Sequence, residues 1–300
     1  MSTPAYATTE AAVPTPRAAP ARAGLETWRR FRRHRAALLG LAVLAGFALL
    51  AAAAPLVTPY DPVVQQLRDA LQGPSRAHPL GTDFLGRDIL ARLLYGARYT
   101  LIIGFLAVAL GLVVGVPLGA ISGYYGGWLD LVAQRFVDIL LSFPGFLLAL
   151  SLVATLGPGL ENVVISVGIG SMPFFVRLVR ASTLSLREQP YIEAARVVGV
   201  ADVAIIFRHI LPNATAPVIV QATVWLGQAI LVAAGLGFLG LGVQPPTPEW
   251  GAMLGEGRNY IFSNPNLATF PGLAIFAAVL AFNLVGDGLR DALDPRLRTR

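Results

Sequence analysis

Six stretches of mostly apolar residues divide the chain, at about residues 36–57, 99–122, 134–156, 162–181, 214–240 and 269–289. Each is close to the roughly 20 residues that an α-helix needs to cross a hydrocarbon core of about 30 Å. The fourth stretch is the weakest, because Arg177 and Arg180 lie near its end, where long side chains can reach the membrane surface. The pattern predicts an all-α, polytopic membrane protein with about six transmembrane helices.

The residues that precede the first apolar stretch are polar. Residues 1–28 are rich in Ala, Pro and Thr, and we expect a disordered cytoplasmic tail there. Residues 28–35 are basic and partly aromatic, which is typical of a segment at the membrane surface. A cleavable signal peptide ending near Ala53 is the competing interpretation, but the long arginine-rich leader favours an uncleaved signal-anchor helix.

A second predicted unit, residues 29–98, holds the basic flank, the first transmembrane helix and an extracytoplasmic amphipathic segment. In that segment four apolar side chains share one face of a helix: Ile89, Leu90, Leu93 and Leu94. We therefore expect a short helix lying on the membrane. Its predicted N-cap is Thr82 or Asp83.

The distribution of arginine predicts the orientation of the chain. Arginines cluster before the first apolar stretch, between the fourth and fifth stretches, and after the last one. Cytoplasmic loops carry the excess of basic residues in membrane proteins. The sequence therefore predicts that both termini face the cytoplasm.

Composition excludes several kinds of chemistry. All 23 basic residues are arginine, and cysteine is absent. Without lysine the chain cannot form a P-loop, so any ATP and its Mg²⁺ must be bound by other chains. Without cysteine it can form no disulfide and no thiolate zinc site, and we predict no metal site and no bound cofactor. The formal charge of +6, in a chain that is 55% hydrophobic, indicates flanks facing anionic lipid rather than nucleic-acid binding.

Residues 189–212, between the fourth and fifth apolar stretches, are predicted to form two short helices. Pro190 suits the first position of a helix, and Gly199 suits the position after its end, where the chain turns in a left-handed conformation. Asp202 is the predicted cap of the second helix, and Pro212 is predicted to stop it. The predicted helix-turn-helix shape by itself fits a simple connection between two transmembrane spans equally well.

The residues of this segment resemble the EAA coupling loop of bacterial ABC importer permeases, a loop that docks into a groove on the ATPase subunit. The resemblance rests on Glu193-Ala194-Ala195, on Gly199 and on Leu211-Pro212, and the ending Arg208-His209 resembles the peptide/nickel branch. The coupling residues it implies are Glu193, Ala194, Ala195, Gly199, Asp202, Arg208, His209, Leu211 and Pro212.

Three further stretches resemble the C-type permease of the dipeptide/oligopeptide/nickel group: His78–Asp88, Gly235–Gly251 and Gly286–Arg296. The resemblance implies that residues 99–298 form the importer's transmembrane domain, in a bacterial cytoplasmic membrane. It also implies a B-type permease as heterodimer partner, two ATP-binding subunits and an extracytoplasmic solute-binding protein. The expected solute is a peptide, and a nickel chelate or another small solute is the alternative. Relatives commonly carry Glu and Ser where this chain has Ala233 and Gly237, positions expected at the outer mouth of the pathway.

Polar residues within the apolar stretches are candidates for the pathway. Gln221, Thr223, Gln228 and Asn283 either line a hydrophilic path or form hydrogen bonds between helices. Asp138 is expected to pair with Arg135, one turn earlier on the same face. We expect no enzymatic activity. A secondary transporter is the main rival class, but it should show inverted repeats, and no clear internal repeat is present.

Overall fold

The computed structural model describes the backbone of residues 20–293 and the side chains of residues 26–293. This part of the chain is almost entirely helical, with no strand beyond an isolated bridge between Thr82 and Asp88. The helices are α1 Pro20–Phe31, α2 Arg35–Ala52, α3 Ala54–Val57, α4 Ile89–Tyr125, α5 Gly127–Ser142, α6 Gly145–Leu156, α7 Leu160–Arg187, α8 Pro190–Val197, α9 Asp202–Ile205, α10 Leu211–Phe238, α11 Trp250–Gly257 and α12 Asn266–Leu293.

Length and composition make five helical segments of the described chain able to cross a membrane, or six if a bent pair counts as one crossing. The five are α2, α4, α7, the continuous helix from α9 to α10, and α12. The prediction of an all-α protein with about six spans is confirmed. The crossing predicted over residues 134–156 is not a straight helix, because α5 and α6 meet at 90°. Phe143 and Pro144 adopt extended backbone there, since proline restrains both its own φ and the residue before it.

The centre of the bundle is the pair α4 and α7, held together along a line of small residues on α4. An added Cβ at Gly115 would lie 2.8 Å from the Cβ of Phe175, and one at Gly119 would lie 2.5 Å from the carbonyl oxygen of Val176. These glycines let the two backbones approach closely, as small residues do at helix interfaces in membranes. The α4 and α7 backbones are therefore in close contact along this stretch.

The N-terminal tail differs from the prediction over residues 20–28, which lie within α1. Pro20 begins the helix, where its missing N–H is not needed. Phe31 then anchors the helix, since its side chain is only 4% exposed and packs with Ala37, Val285 and Ala292. Residues 1–19 lie outside the described part of the chain.

The amphipathic helix predicted to lie on the membrane is instead the first part of α4, which runs unbroken through residue 98. The N-cap is Asp88, whose carboxylate accepts a hydrogen bond from the Ala91 N–H at 2.6 Å. Asp83 is not the cap, because its carboxylate accepts hydrogen bonds from the backbone N–H groups of Leu85 and Arg87 and from the Arg87 guanidinium. The apolar face that suggested a surface helix is covered by the bundle.

A buried ionic cluster closes the end of the bundle where α4 begins. Arg87 donates to Asp83 at 2.6 Å and to Glu256 at 3.1 Å, and Arg92 donates to Glu256 at 2.9 Å. Both guanidinium groups are at most 2% exposed. Two positive and two negative groups thus join the start of α4 to α11 across the bundle.

Candidate functional site

The candidate site is the segment of residues 189–212, called here the elbow. Pro190 occupies the first position of α8, as predicted, and Gln189 is the N-cap residue that precedes it. Gly199 has a φ of 80°, so the chain reverses there in the left-handed region that favours glycine. No atom lies within 4 Å of a Cβ added at Gly199, so the backbone conformation rather than lack of space calls for glycine.

Two details of the elbow differ from the prediction. Ala201, not Asp202, is the N-cap of α9, and the Asp202 carboxylate instead accepts a hydrogen bond from the Tyr124 hydroxyl at 2.6 Å. Pro212 does not stop the helix, because it lies in the first turn of α10 and the chain from Asp202 to Phe238 is one continuous helix. The turn before it, Ile206–Ile210, is π-helical. This wider turn interrupts the regular hydrogen-bond ladder where the proline ring would otherwise clash.

One side of the elbow is buried against the bundle. The side chains of Ile192, Ala195, Ile205 and Ile210 pack in one apolar cluster with α4 and α7. Ala195 belongs to this buried side, so only Ala194 of the predicted small-residue pair is exposed. The cluster fixes the elbow on the ends of α4 and α7.

The other side of the elbow is open and partly apolar. Four large apolar side chains there are 61–82% exposed: Val197, Val198, Val203 and Phe207. Glu193, Arg208 and Pro212 are exposed as well, whereas His209 and Leu211 are half-buried. An exposed apolar patch with a polar border is typical of a protein-binding surface.

Three residues that the sequence did not single out hold the elbow in place: Tyr124, Arg187 and Arg196. Arg196 donates to the Tyr124 hydroxyl, and this hydrogen bond raises the pKa of the Arg196 guanidinium, which stays charged. Arg187 donates to the carbonyl oxygen of Gly123 at 2.9 Å. No sequence pattern connects these residues, because the contacts span 63 to 78 positions of chain.

A cavity of about 810 Å³ lies near the elbow, between α10 and α12. Its polar lining residues are Asn213, Gln221, Asn283, Asp287 and Arg290. Two of the four predicted pathway residues therefore meet in one cavity. The other two do not reach it: the Thr223 hydroxyl donates to the Ile219 carbonyl on its own helix, and Gln228 is exposed elsewhere on α10.

Other polar positions also differ from the prediction. Asp138 pairs with Arg177 of α7 at 2.7 Å rather than with Arg135. Ala233 is buried in the main apolar core, and a Cβ at Gly237 would lie 2.8 Å from the carboxylate of Glu249. Neither of these last two positions lines the cavity. Within residues 20–293 no group of three His, Cys, Asp or Glu residues could hold a metal ion.

The described chain thus combines an apolar helical bundle, an elbow docked at one end and a polar cavity beside the elbow. Residues 115–299 match the family described as the binding-protein-dependent transport system inner membrane component, and the chain belongs to that family. Residues 24–74 match the N-terminal transmembrane domain of oligopeptide transport permease C. The resemblance stated from the sequence is thus confirmed, and the chain is a permease of the ABC importer class, with several spans in the bacterial cytoplasmic membrane.

Two similar proteins cover nearly the whole chain. A dipeptide transport system permease of Alkalihalophilus pseudofirmus is 49% identical over 274 residues, which is 91% of this chain and 90% of that protein. A glutathione transport system permease of Pectobacterium atrosepticum is 51% identical over 276 residues, which is 91% of each chain. An inward-facing structure of a methionine ABC transporter shares the fold, with a TM-score of 0.55 and 24% identity over 68% of this chain and 96% of that one.

Proposed function

We propose that the chain is one half of the translocation pathway of an importer for short peptides, driven by ATP hydrolysis on separate subunits. The cavity between α10 and α12 carries the proposal. Its Asp287 and Arg290 are exposed and form no ion pair within residues 20–293. Charged groups that face lipid are costly, so this surface is expected to face water or a polar partner. A second, B-type permease would complete the pathway.

The size and chemistry of the cavity suit a small polar solute. Its volume of about 810 Å³ falls within the range of roughly 300–1,000 Å³ that is usual for small-molecule sites. Amide side chains at Gln221 and Asn283 offer both donors and acceptors to a peptide backbone. The dipeptide and glutathione permeases that resemble this chain support a peptide as the solute.

The elbow is the proposed contact with one of the two ATPase subunits. Its inner side is packed on α4 and α7, whereas its outer side exposes apolar residues such as Val197 and Phe207. The absence of lysine supports nucleotide binding by another chain. The arginine distribution supports a cytoplasmic position for the elbow and both termini, and a solute-binding protein would deliver the peptide on the opposite side.

Reconstituted transport tests this proposal. The complex with its partner permease, ATPases and binding protein should take up a labelled dipeptide or glutathione only with ATP. Asn283→Leu should lower uptake about tenfold at unchanged assembly, whereas the matched control Gln228→Leu, on an exposed site outside the cavity, should not. Uptake driven by an ion gradient without ATP would identify a secondary transporter. Uptake of a nickel chelate, with no uptake of either peptide, would identify the chelate as the solute.

A further inference from the structure

One side chain of α4 contacts both arms of the elbow. The hydroxyl of Tyr124 donates to Asp202 of α9 at 2.6 Å and accepts from Arg196 of α8 at 3.4 Å. The Arg196 guanidinium carbon also lies 5.1 Å from the centre of the Tyr124 ring, within range of a cation–π interaction. Because α8 and α9 lie on either side of Gly199, these contacts define the angle between the two arms.

The backbone at the same place is held by α7. Arg187, the last residue of that helix, donates to the carbonyl oxygens of Gly123 at 2.9 Å and Tyr124 at 3.4 Å. The last carbonyls of a helix have no partner within it, and a guanidinium is a favourable donor there. Tyr124 is only 7% exposed. The ring and the backbone of Tyr124 are thus both held in place. A residue held in this way can couple the movement of the elbow to that of α4.

Displacement of Tyr124 would reach the opposite end of the molecule. The helix α4 has 37 residues, which at about 1.5 Å per residue gives a length of roughly 55 Å. Along that length it packs on α7 through Gly115 and Gly119, and at its start Arg92 is paired with Glu256 of α11. The closely packed helix α4 thus forms a continuous physical connection between the elbow and the ionic cluster at its start.

We propose that Tyr124 is a positioning residue, whose hydroxyl fixes the angle of the elbow and ties it to α4, so that closure of the ATPases moves α4. The proposal rests on the proposed function of the elbow as the ATPase contact. It assigns to Tyr124 no contact with solute or nucleotide. Its role is to convert a movement of α8 and α9 into a movement of the membrane-spanning bundle.

The test is Tyr124→Phe in the full reconstituted complex, which removes the hydroxyl but keeps the ring over Arg196. Assembly, thermal midpoint and basal ATP hydrolysis should stay near wild type. Uptake per ATP hydrolysed, and stimulation of hydrolysis by loaded binding protein, should fall about tenfold, the effect that loss of a hydrogen bond to a charged group can produce. The matched control is Tyr125→Phe, because Tyr125 is 51% exposed and its hydroxyl has no hydrogen bond among the described residues.

A second variant keeps the proposal open to refutation if Tyr124→Phe does not assemble. Asp202→Ala removes the other half of the same hydrogen bond and should give the same loss of coupling, and the double variant should be no worse than either single one. Asp202→Asn keeps an acceptor oxygen and should retain most of the coupling. A loss of stability with no change in uptake per ATP would overturn the proposal in favour of a structural role. Normal coupling in Tyr124→Phe with defective coupling in Gly199→Val would overturn it too, while normal coupling in both would refute the proposed function of the elbow.

Discussion

The guanidinium of Arg92 lies 2.9 Å from the carboxylate of Glu256, although 164 residues separate them along the chain. Arg92 is 2% exposed and the Glu256 side chain is 19% exposed. Glu256 also accepts from Arg87 at 3.1 Å, so one carboxylate neutralises part of two buried positive charges. Glu256 thus connects α11 to two arginines at the start of α4.

Glu256→Ala is therefore expected to destabilise the complex. Removing one partner of a buried ion pair leaves an uncompensated charge, which costs roughly 3–5 kcal/mol. The midpoint of thermal unfolding of the purified complex should fall clearly, and expression should fall with it. Glu161→Ala is the matched control, because Glu161 is exposed and forms no ion pair in the described part of the chain. Equal midpoints for the two variants would show that the cluster does not hold this junction.

Gly119→Ala should separate α4 from α7. The added methyl group would lie 2.5 Å from the Val176 carbonyl oxygen and 3.0 Å from the Val179 Cβ. Neither atom can move away by a change of side-chain rotamer, because one belongs to the backbone and the other is bonded directly to it. The helices must then move apart, and we expect a loss of about 1–3 kcal/mol, typical of overpacking. Gly46→Ala is the control, since no atom lies within 4 Å of its added Cβ. That variant should be neutral or slightly more stable in the same unfolding assay.

The sequence predicted the apolar helices, the two arms of the elbow and the left-handed glycine between them because each depends on local rules. Apolar length gives a span, and proline and glycine mark the ends of α8. The bend between α5 and α6 had a local signal in Phe143-Pro144. The prediction of one straight span there followed the length of the apolar stretch instead of this signal. The fusion of the elbow with α10 required a π turn over Ile206–Ile210, and nothing in the order of residues there distinguishes it from an ordinary turn.

The partners of polar side chains were the part that the sequence did not predict. Asp202 has the position of a helix cap, yet its carboxylate is taken by Tyr124, which lies 78 residues earlier. Asp138 has an arginine one turn away, yet pairs with Arg177 across the helix interface. In each case the contact depends on how two helices are packed and rotated, which local spacing does not determine.

Orientation is tested by single cysteines, because the chain contains none. Val198→Cys lies on the exposed side of the elbow and should react with a membrane-impermeant maleimide only from the cytoplasm. Phe262→Cys, a fully exposed position between α11 and α12, should react only from outside. Intact cells and inverted vesicles supply the two sides, and detergent-solubilised protein gives the total labelling of each site. Labelling of both positions from one side would contradict the topology inferred from arginine.

Glu249 should give the complex a pH-dependent stability. Its side chain is 1% exposed, and burial raises the pKa of its carboxyl above the usual 4.5, although it accepts hydrogen bonds from Gly251, Ala252 and Thr100. A raised pKa in the folded state means that the Glu249 carboxyl holds its proton more tightly there than in the unfolded chain. The stabilisation of the folded state that results is complete below about pH 4.5 and is lost as the pH rises through the pKa of the folded state.

The measurement is the thermal midpoint of wild type minus that of Glu249→Gln, followed from pH 4.5 upward. Because the glutamine cannot ionise, the midpoint of wild type should fall relative to that of the variant as the pH rises. Glu161→Gln, an exposed substitution in the same complex, controls for pH effects on the detergent and the partner chains. A difference that moves in favour of wild type with rising pH would mean that the three donors outweigh burial.

The last prediction concerns the corner of the elbow. Gly199 has a φ of 80°, and a side chain in that region costs on the order of 1 kcal/mol, more for a β-branched residue. Gly199→Val should insert and assemble, because the corner is exposed and an added Cβ meets no atom. It should nevertheless misdirect α9 and lower both uptake and substrate-stimulated hydrolysis. Glu193→Lys, on the exposed side of α8, should do the same by reversing the charge at the proposed ATPase contact. Gly46→Val places the same side chain where the backbone is an ordinary helix and nothing is near, so it should transport normally. Both activities are read in the same vesicles with and without loaded binding protein, and wild-type coupling in both elbow variants would reduce residues 189–212 to a connection between two spans.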